Sequence, residues 1–214
     1  MFLALMSRDF RATLRQGGAV LPVVFFLLVA TLYPFAVGPD GATLTKTGGG
    51  VLWIAALLAA LLPVDRLVAP DVESGVMDQL AVRGISEEII IVAKMAAHWL
   101  SFGPALMIAT IPAAALLRLD EETFLRLILG LLVGTPGLAA LGMMVSAITA
   151  GLRGAGALAG LLMLPLAVPL LIFGAGSLAR GSSNSAILLL GACSLLLSAI
   201  TPFVAGAAIR ALRD

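Results

Sequence analysis

Residues 155–179 read AGALAGLLMLPLAVPLLIFGAGSLA, a run with no charged side chain, bounded by Arg153 just before it and Arg180 just after it. A helix that crosses a bilayer needs about 20 mostly apolar residues, whereas a barrel strand needs about ten that alternate in polarity. The run is therefore a membrane-spanning helix. Five more runs of the same kind lie outward from it, at about residues 19–37, 49–64, 89–117, 125–149 and 186–208. The 49–64 run is short and follows Gly48-Gly49-Gly50. The whole chain agrees: of 214 residues 61% are hydrophobic and 12% are charged, about half the usual charged share. That excludes a disordered chain and most soluble enzymes, which need a charged surface. A single cysteine, Cys193, excludes an internal disulfide framework, and a lone thiol in an apolar run is a small hydrophobe. A net charge of +1 leaves no basic footprint for nucleic acid. The predicted fold is all-α: six transmembrane helices in one membrane domain spanning 1–214, with no internal repeat.

Loop charges orient it. Arg8, Arg11, Arg15, Arg66, Arg83, Lys94, Arg153, Arg210 and Arg213 fall on one side of the spans; Lys46, Arg118, Arg126 and Arg180 fall on the other. The excess of Lys and Arg on one side places both termini in the cytoplasm. Residues 1–16 have a different pattern. At 100° per residue Arg8, Arg11 and Arg15 fall within about 60° of one another, opposite Leu3, Met6, Phe10 and Leu14. This predicts an amphipathic helix lying in the interface, with the three arginines as anchors among lipid headgroups. A cleaved signal peptide fits less well, since no Ala-x-Ala site follows the first apolar run.

Inside the spans the polar residues are Ser and Thr only: Thr31, Ser101, Thr110, Thr135, Ser146, Ser194, Ser198 and Thr201. A proton- or ion-coupled pump normally carries an acid or base at mid-membrane, and none is present. Gly130-x-x-x-Gly134 and Gly156-x-x-x-Gly160 permit close helix approach, either within the bundle or at a dimer seam. Pro104, Pro112, Pro136, Pro165, Pro169 and Pro202 should kink helices or mark their ends.

The segment 65–88 is the one long stretch outside the membrane, and it holds six of the twelve acidic residues. Pro70 and Asp71 read as a helix start; Val72, Val76 and Leu80 repeat every four residues; Gly84 stops the helix. Ser86 then caps the third span, with Glu87 and Glu88 in its first turn. The reading is a short cytoplasmic helix around Asp71 to Arg83, with Asp71 and Glu73 exposed. Such a helix is either a solvated connector or a docking helix for a cytoplasmic partner.

The stretch Leu62-Pro63-Val64-Asp65-Arg66-Leu67, then Asp71-x-Glu73-x-Gly75, Asp78-Gln79-Leu80, Ala93-Lys94 and His98-Trp99-Leu100 resembles the haem exporter protein B family (CcmB). The resemblance runs over the whole chain: length, six spans, interfacial helix and acidic loop. The loop departs from the family's usual Glu-Asp-Gly-Thr-Leu-Glu-Gln-Leu by carrying Glu73-Ser74-Gly75-Val76-Met77-Asp78-Gln79-Leu80. The resemblance implies an ABC-2-like permease subunit of the cytochrome c maturation transporter, with no ATP site and no directly bound cofactor of its own. ATP would be used by a partner ATPase similar to CcmA, haem would be handled by the complex, and further membrane partners would resemble CcmC and CcmD. The machine would release a haem-loaded chaperone. The chain itself agrees that ATP binds elsewhere: its nearest approach to a phosphate-binding loop, Asp40 to Thr47, lacks the required glycine spacing. Two ATPases imply two membrane halves and thus a homodimer. Docking residues on this reading are Asp65, Arg66, Asp71, Glu73, Gly75, Asp78, Gln79 and Arg83.

His98 is the only histidine. It is either a haem ligand or, one turn after Lys94 and beside Trp99, one of an interfacial amphipathic pair. The competing functions are an ABC exporter half for another apolar or lipid-like substrate, and a scaffold that only assembles partners. An enzyme is disfavoured, because one His, one Cys and no mid-membrane acid assemble no catalytic group.

Overall fold

The computed structural model describes residues 1–15, 17–18, 20–38, 40–152, 155–179 and 184–213. Gln16 and Ala19, at expected element boundaries, and Arg153 and Arg180, used in the charge count, lie outside the described residues. Among the described residues every regular element is a helix. The chain opens with α1 (Phe2–Arg15), followed by α2 (Val20–Val37) and α3 (Gly41–Leu61). A 3-10 turn (Val64–Arg66) leads to two short helices, α4 (Ala69–Glu73) and α5 (Val76–Val82). The remaining helices are α6 (Glu87–Leu116), α7 (Glu121–Thr149), α8 (Ala155–Gly176) and α9 (Ser185–Ala211). Six of them are long and apolar enough to cross a membrane.

The second span starts at Gly41, well before residue 49, where its apolar stretch begins. Asp40 caps it, accepting from the Thr43 N–H at 3.0 Å and the Ala42 N–H at 3.4 Å. These bonds, with one from the Thr43 hydroxyl, hold the Asp40 carboxyl below its ordinary range. The threonines that make the segment look like a loop instead turn back on the helix. Thr45 donates to the Gly41 carbonyl at 2.9 Å and Thr47 to that of Thr43 at 2.6 Å, so each hydroxyl is satisfied within one turn. Gly48 and Gly49 are buried, and a Cβ there would come within 2.9 Å of Leu119 and 2.8 Å of Leu178. Gly48 and Gly49 form a close-packing face of the helix, while Gly50 has nothing within 4 Å.

α7 is the central, most buried span. It packs most extensively on α9, and also on α8, α6 and α3. The core is built around Trp53 of α3, which is 1% exposed. Its ring sits in a socket of glycines. A Cβ on Gly134 would come within 2.5 Å of it, on Gly174 within 2.6 Å, and on Gly130 within 3.2 Å. Gly137 leaves the Ser194 backbone only 2.9 Å from where its Cβ would stand, and Thr201 donates across to the Ala140 carbonyl at 3.2 Å. The 130/134 glycine pair is thus consumed inside the bundle. Gly160 of the 156/160 pair has nothing within 4 Å. The six prolines singled out all lie inside helices, as does Pro34. α2 and α8 turn most of their apolar side chains outward, including Val24, Leu28, Leu32, Leu161, Leu164 and Ile172, as spans facing lipid do.

Where the sequence pattern suggests one helix between the second and third spans, the chain forms two. Gly75 is left-handed (φ 71°), a conformation that glycine adopts without the steric penalty of other residues, and it breaks the four-residue repeat of Val72, Val76 and Leu80 in the middle. Gly84 does stop α5. It also has positive φ, its N–H reaches the Ala81 carbonyl at 2.8 Å, and the Ile85 N–H reaches Leu80 at 3.2 Å, the paired bonds of a glycine C-terminal motif. Ser86 has the extended backbone of a cap, but its side chain makes no cap bond.

Candidate functional site

The connector between α3 and α6 carries the candidate docking residues. It is fastened down on its inner face by apolar side chains. Val68, Met77, Leu80 and Ile85 are buried in a second apolar cluster with Leu5 of α1, Ile90 and Ile91 of α6, Met143 and Ala147 of α7, and Ala205 and Ile209 of α9. Each large side chain of this kind contributes roughly 1.5–3 kcal/mol when fully buried. The connector is therefore joined to the ends of four other helices. The same cluster places the start of the chain, the connector and the end of α9 at one end of the bundle.

Two ionic clusters lie beside that apolar layer. The first is a closed ring of four charges. Arg8 reaches Asp71 at 2.9 Å and Asp9 at 2.7 Å. Lys94 of α6 pairs with the same Asp71 oxygen, lies 3.4 Å from Asp9, and donates to the Leu67 carbonyl at 3.2 Å. Lys94 is only 8% exposed. The ring is electrically neutral, as charges held largely away from water need to be. Burial works against the charge on Arg8, but its bonds to Asp9 and Asp71 outweigh that and raise its pKa above the ordinary guanidinium value. The second cluster is more open. Arg213, just past α9, reaches Asp78 at 2.8 Å, Glu87 at 2.5 Å and the Met77 carbonyl at 3.0 Å. Arg210 reaches Glu88 at 2.7 Å and Glu87 at 3.2 Å.

These contacts sort the eight docking candidates. Asp65, Arg66, Glu73, Gln79 and Arg83 are exposed; Asp65 and Arg66 lie 4.0 Å apart, at the limit of an ion pair. Asp78 is exposed but already bonded to Arg213. Gly75 is half-buried at the break. Asp71 departs from its expected exposure: it is half-buried and belongs to the ring, because α4 turns it toward α6 rather than toward water. The interfacial helix is corrected in the same way. Arg11 and Arg15 are exposed as anchors should be, while Arg8 is turned onto the ring. The crest left free is Glu73, Ser74, Gln79, Val82 and Arg83, with Val82 89% exposed.

His98 is buried, 4.8 Å from the Phe102 ring between centroids. Neither ring nitrogen has a protein partner. It lines a cavity of about 320 Å³ whose other walls include Arg8, Asp9, Arg66, Asp71 and Lys94. A wider cavity, about 700 Å³, opens at the other end of the bundle beside Thr45, Lys46, Gly49 and Thr123.

Sequence reasoning missed Asp9 and the partners of Lys94, Arg210 and Arg213. One signal was available. On the helical wheel of α1, Asp9 falls outside the arginine arc and next to Leu5, at about 40°, an acid on the side that packs. The pairings themselves span 63 residues for Arg8 with Asp71 and 135 for Arg213 with Asp78, and local periodicity carries no information at that range.

The sequence profile described as CcmB protein matches residues 1–212. Among curated proteins the chain is similar to Heme exporter protein B of Rhodobacter capsulatus, 44% identical over 212 residues covering 97% of each chain. It is likewise similar to that of Paracoccus denitrificans, 43% identical with the same coverage. To the Escherichia coli K12 protein of that name it is 34% identical over 215 residues, 98% of each. With a profile match and relatives spanning nearly its whole length, this helical membrane chain belongs to the CcmB protein family.

Proposed function

We propose that this chain is the non-catalytic membrane subunit of an ABC transporter for c-type cytochrome maturation, and that a partner ATPase docks on the crest of the α4–α5 connector. The observation that carries this reading is the contrast across the connector. Its inner face is fixed by apolar burial and ion pairs, while Glu73, Gln79, Val82 and Arg83 are presented outward on short, rigid helices. A contact that must receive force needs a free outer face and an inflexible base. The curated relatives bear the name heme exporter, which supports haem as the cargo handled by the complex, ATP as the fuel of the partner, and CcmC-like and CcmD-like membrane proteins as companions. Release of a haem-loaded chaperone is the output on this reading, and the second membrane half is a second copy of this chain.

The charge distribution supports a cytoplasmic connector in a bacterial inner membrane. At the connector's end of the bundle stand Arg8, Arg11, Arg15, Arg66, Arg83, Lys94, Arg210 and Arg213; at the other stand Lys46, Arg118 and Arg126. That asymmetry supports a reading with both termini inside. On this reading His98 ligates no haem: the cavity it lines mixes Leu67, Val76 and Met143 with the charged Arg8, Asp9, Arg66, Asp71 and Lys94, and that charge cluster suits water and small polar groups better than the apolar face of a porphyrin.

The test is a double charge reversal at the crest, Glu73→Lys with Arg83→Glu. Purified in mild detergent, the variant should lose the co-purifying ATPase. Its thermal stability should change by no more than about 0.5 kcal/mol, as for ordinary surface substitutions. An ATPase retained at the wild-type ratio would remove the crest as the docking surface. Loss of c-type cytochromes on deletion of this chain, restored by its return, separates this reading from an exporter of another apolar substrate.

A further inference from the structure

We propose that the connector drives the bundle through two separate ionic arms that meet at Gly75: α4, locked through Asp71 to Lys94, Asp9 and Arg8, moves α1 with α6, and α5, locked through Asp78 to Arg213, moves α9. The inference rests on the ATPase-docking reading and adds how the docked force divides.

Three observations carry it. The first is the division of attachments. α4 makes its ionic contacts with α1 and the interior of α6, and α5 makes its own, through Asp78, with Arg213 just past α9, which in turn pairs with Glu87 in the first turn of α6. The second is the break between them. Gly75 is left-handed and a Cβ there would touch nothing within 4 Å, so the joint is uncrowded and α4 and α5 need not turn as one rod. The third is the space beneath α4. Packed interiors do not deform continuously, and a helix driven toward α6 needs room; the cavity beside Asp71, Lys94 and His98 supplies about 320 Å³.

The two arms differ in their contact with water, which makes them separable. In the Lys94–Asp71 link the side chains are 8% and 21% exposed, whereas in the Arg213–Asp78 link they are 28% and 64% exposed. Salt screens exposed pairs far more than buried ones. The first arm should therefore act equally well at low and high ionic strength, and the second should weaken as salt rises. Asp71, Lys94, Asp78 and Arg213 are positioning residues in this scheme, since none need touch cargo or nucleotide.

The experiment uses the full chain with its ATPase in lipid nanodiscs, in a Cys193→Ser background. Spin labels are placed at Lys46→Cys with Arg11→Cys to follow α1, and at Lys46→Cys with Ala211→Cys to follow α9. The expected result for Asp71→Asn with Lys94→Gln is an ATPase still bound at the wild-type ratio, loss of the ATP-driven distance change at α1, and a preserved change at α9. That pair of substitutions leaves Arg8 and Asp9 to neutralise each other. Arg213→Gln should give the converse. In the unsubstituted ring, raising salt from about 0.1 to 0.5 M should diminish the α9 change and spare that at α1; this arm needs no variant to fold. Loss of both movements in either variant, or of neither, or a salt response shared by α1 and α9, overturns the two-arm scheme. An ATPase that never co-purifies with the wild-type chain overturns the docking reading instead.

Discussion

A Trp53→Ala variant is expected to lose about 3–5 kcal/mol of stability, the range for deleting a large aromatic from a packed core. The site has little with which to collapse around the smaller residue. Three of the walls facing the ring are glycine backbone on α7 and α8, and glycine has no side chain to swing into the vacancy. The same geometry predicts the reverse experiment. Gly134→Ala places a methyl 2.5 Å from a ring that is itself fully enclosed, and overpacking of this kind costs about 1–3 kcal/mol. The two effects should not add: with Trp53 already reduced to alanine, the Gly134 methyl enters open space and partly fills it. Unfolding midpoints of the two single variants and the double variant, measured in one detergent, check this. A double variant at the simple sum would mean that ring and socket are not in contact. Trp53→Phe should be much milder, since it keeps most of the volume and removes an indole N–H that has no partner in the core.

Lys94→Met is expected to be similarly damaging, for an electrostatic reason. It leaves Asp9 and Asp71 sharing Arg8 alone, and stripping one partner from a buried pair costs about 3–5 kcal/mol. Arg213→Gln also removes two ion pairs, but Arg213 is 28% exposed and its partner Asp78 is 64% exposed, and pairs in contact with water contribute about 0–1 kcal/mol. The double variant Asp71→Asn with Lys94→Gln should recover much of the stability lost by Lys94→Met alone, because the charge balance of the ring is restored. Thermal unfolding of these three variants gives the ordering. A Lys94→Met chain as stable as Arg213→Gln would show the ring to be open to solvent.

The six spans were legible because each contains an apolar run with almost no charge, and all but the second of these runs are 19 residues or longer. The start of α3 was not, since Thr43, Thr45, Thr47 and the glycines 48–50 have the composition of a loop. Their helical state depends on the Asp40 cap and on Leu117, Leu119 and Leu178 packing against the bare glycine face, which no local pattern reveals. The connector was legible as rigid, acidic and helical. Its division into two helices depended on the sign of one φ angle at Gly75. The residues of the docking motif were found, but exposure was misjudged at Asp71, because a carboxylate's orientation is set by a lysine on another helix. Resemblance to a family fixes where a motif lies in the chain; only the packed structure separates the residues that face a partner from those that hold the motif in place.

The ionic ring and the Arg213 contact also impose an order on biosynthesis. The ring needs Arg8, Asp71 and Lys94, so it closes once the third span has left the ribosome and entered the bilayer. The Arg213 contact waits for α9, the last span. Between those events α5 is held by apolar burial against α1, α6 and α7 alone, without the Arg213 bond or the α9 side chains of the cluster, so the backbone beside the exposed Arg83 opens more readily. Chains stalled after α8 should therefore be nicked by trypsin at Arg83 faster than finished ones, and equal rates would discount the idea. Insertion of α9 would thus double as the step that sets the connector, withholding it from any partner until the bundle behind it exists.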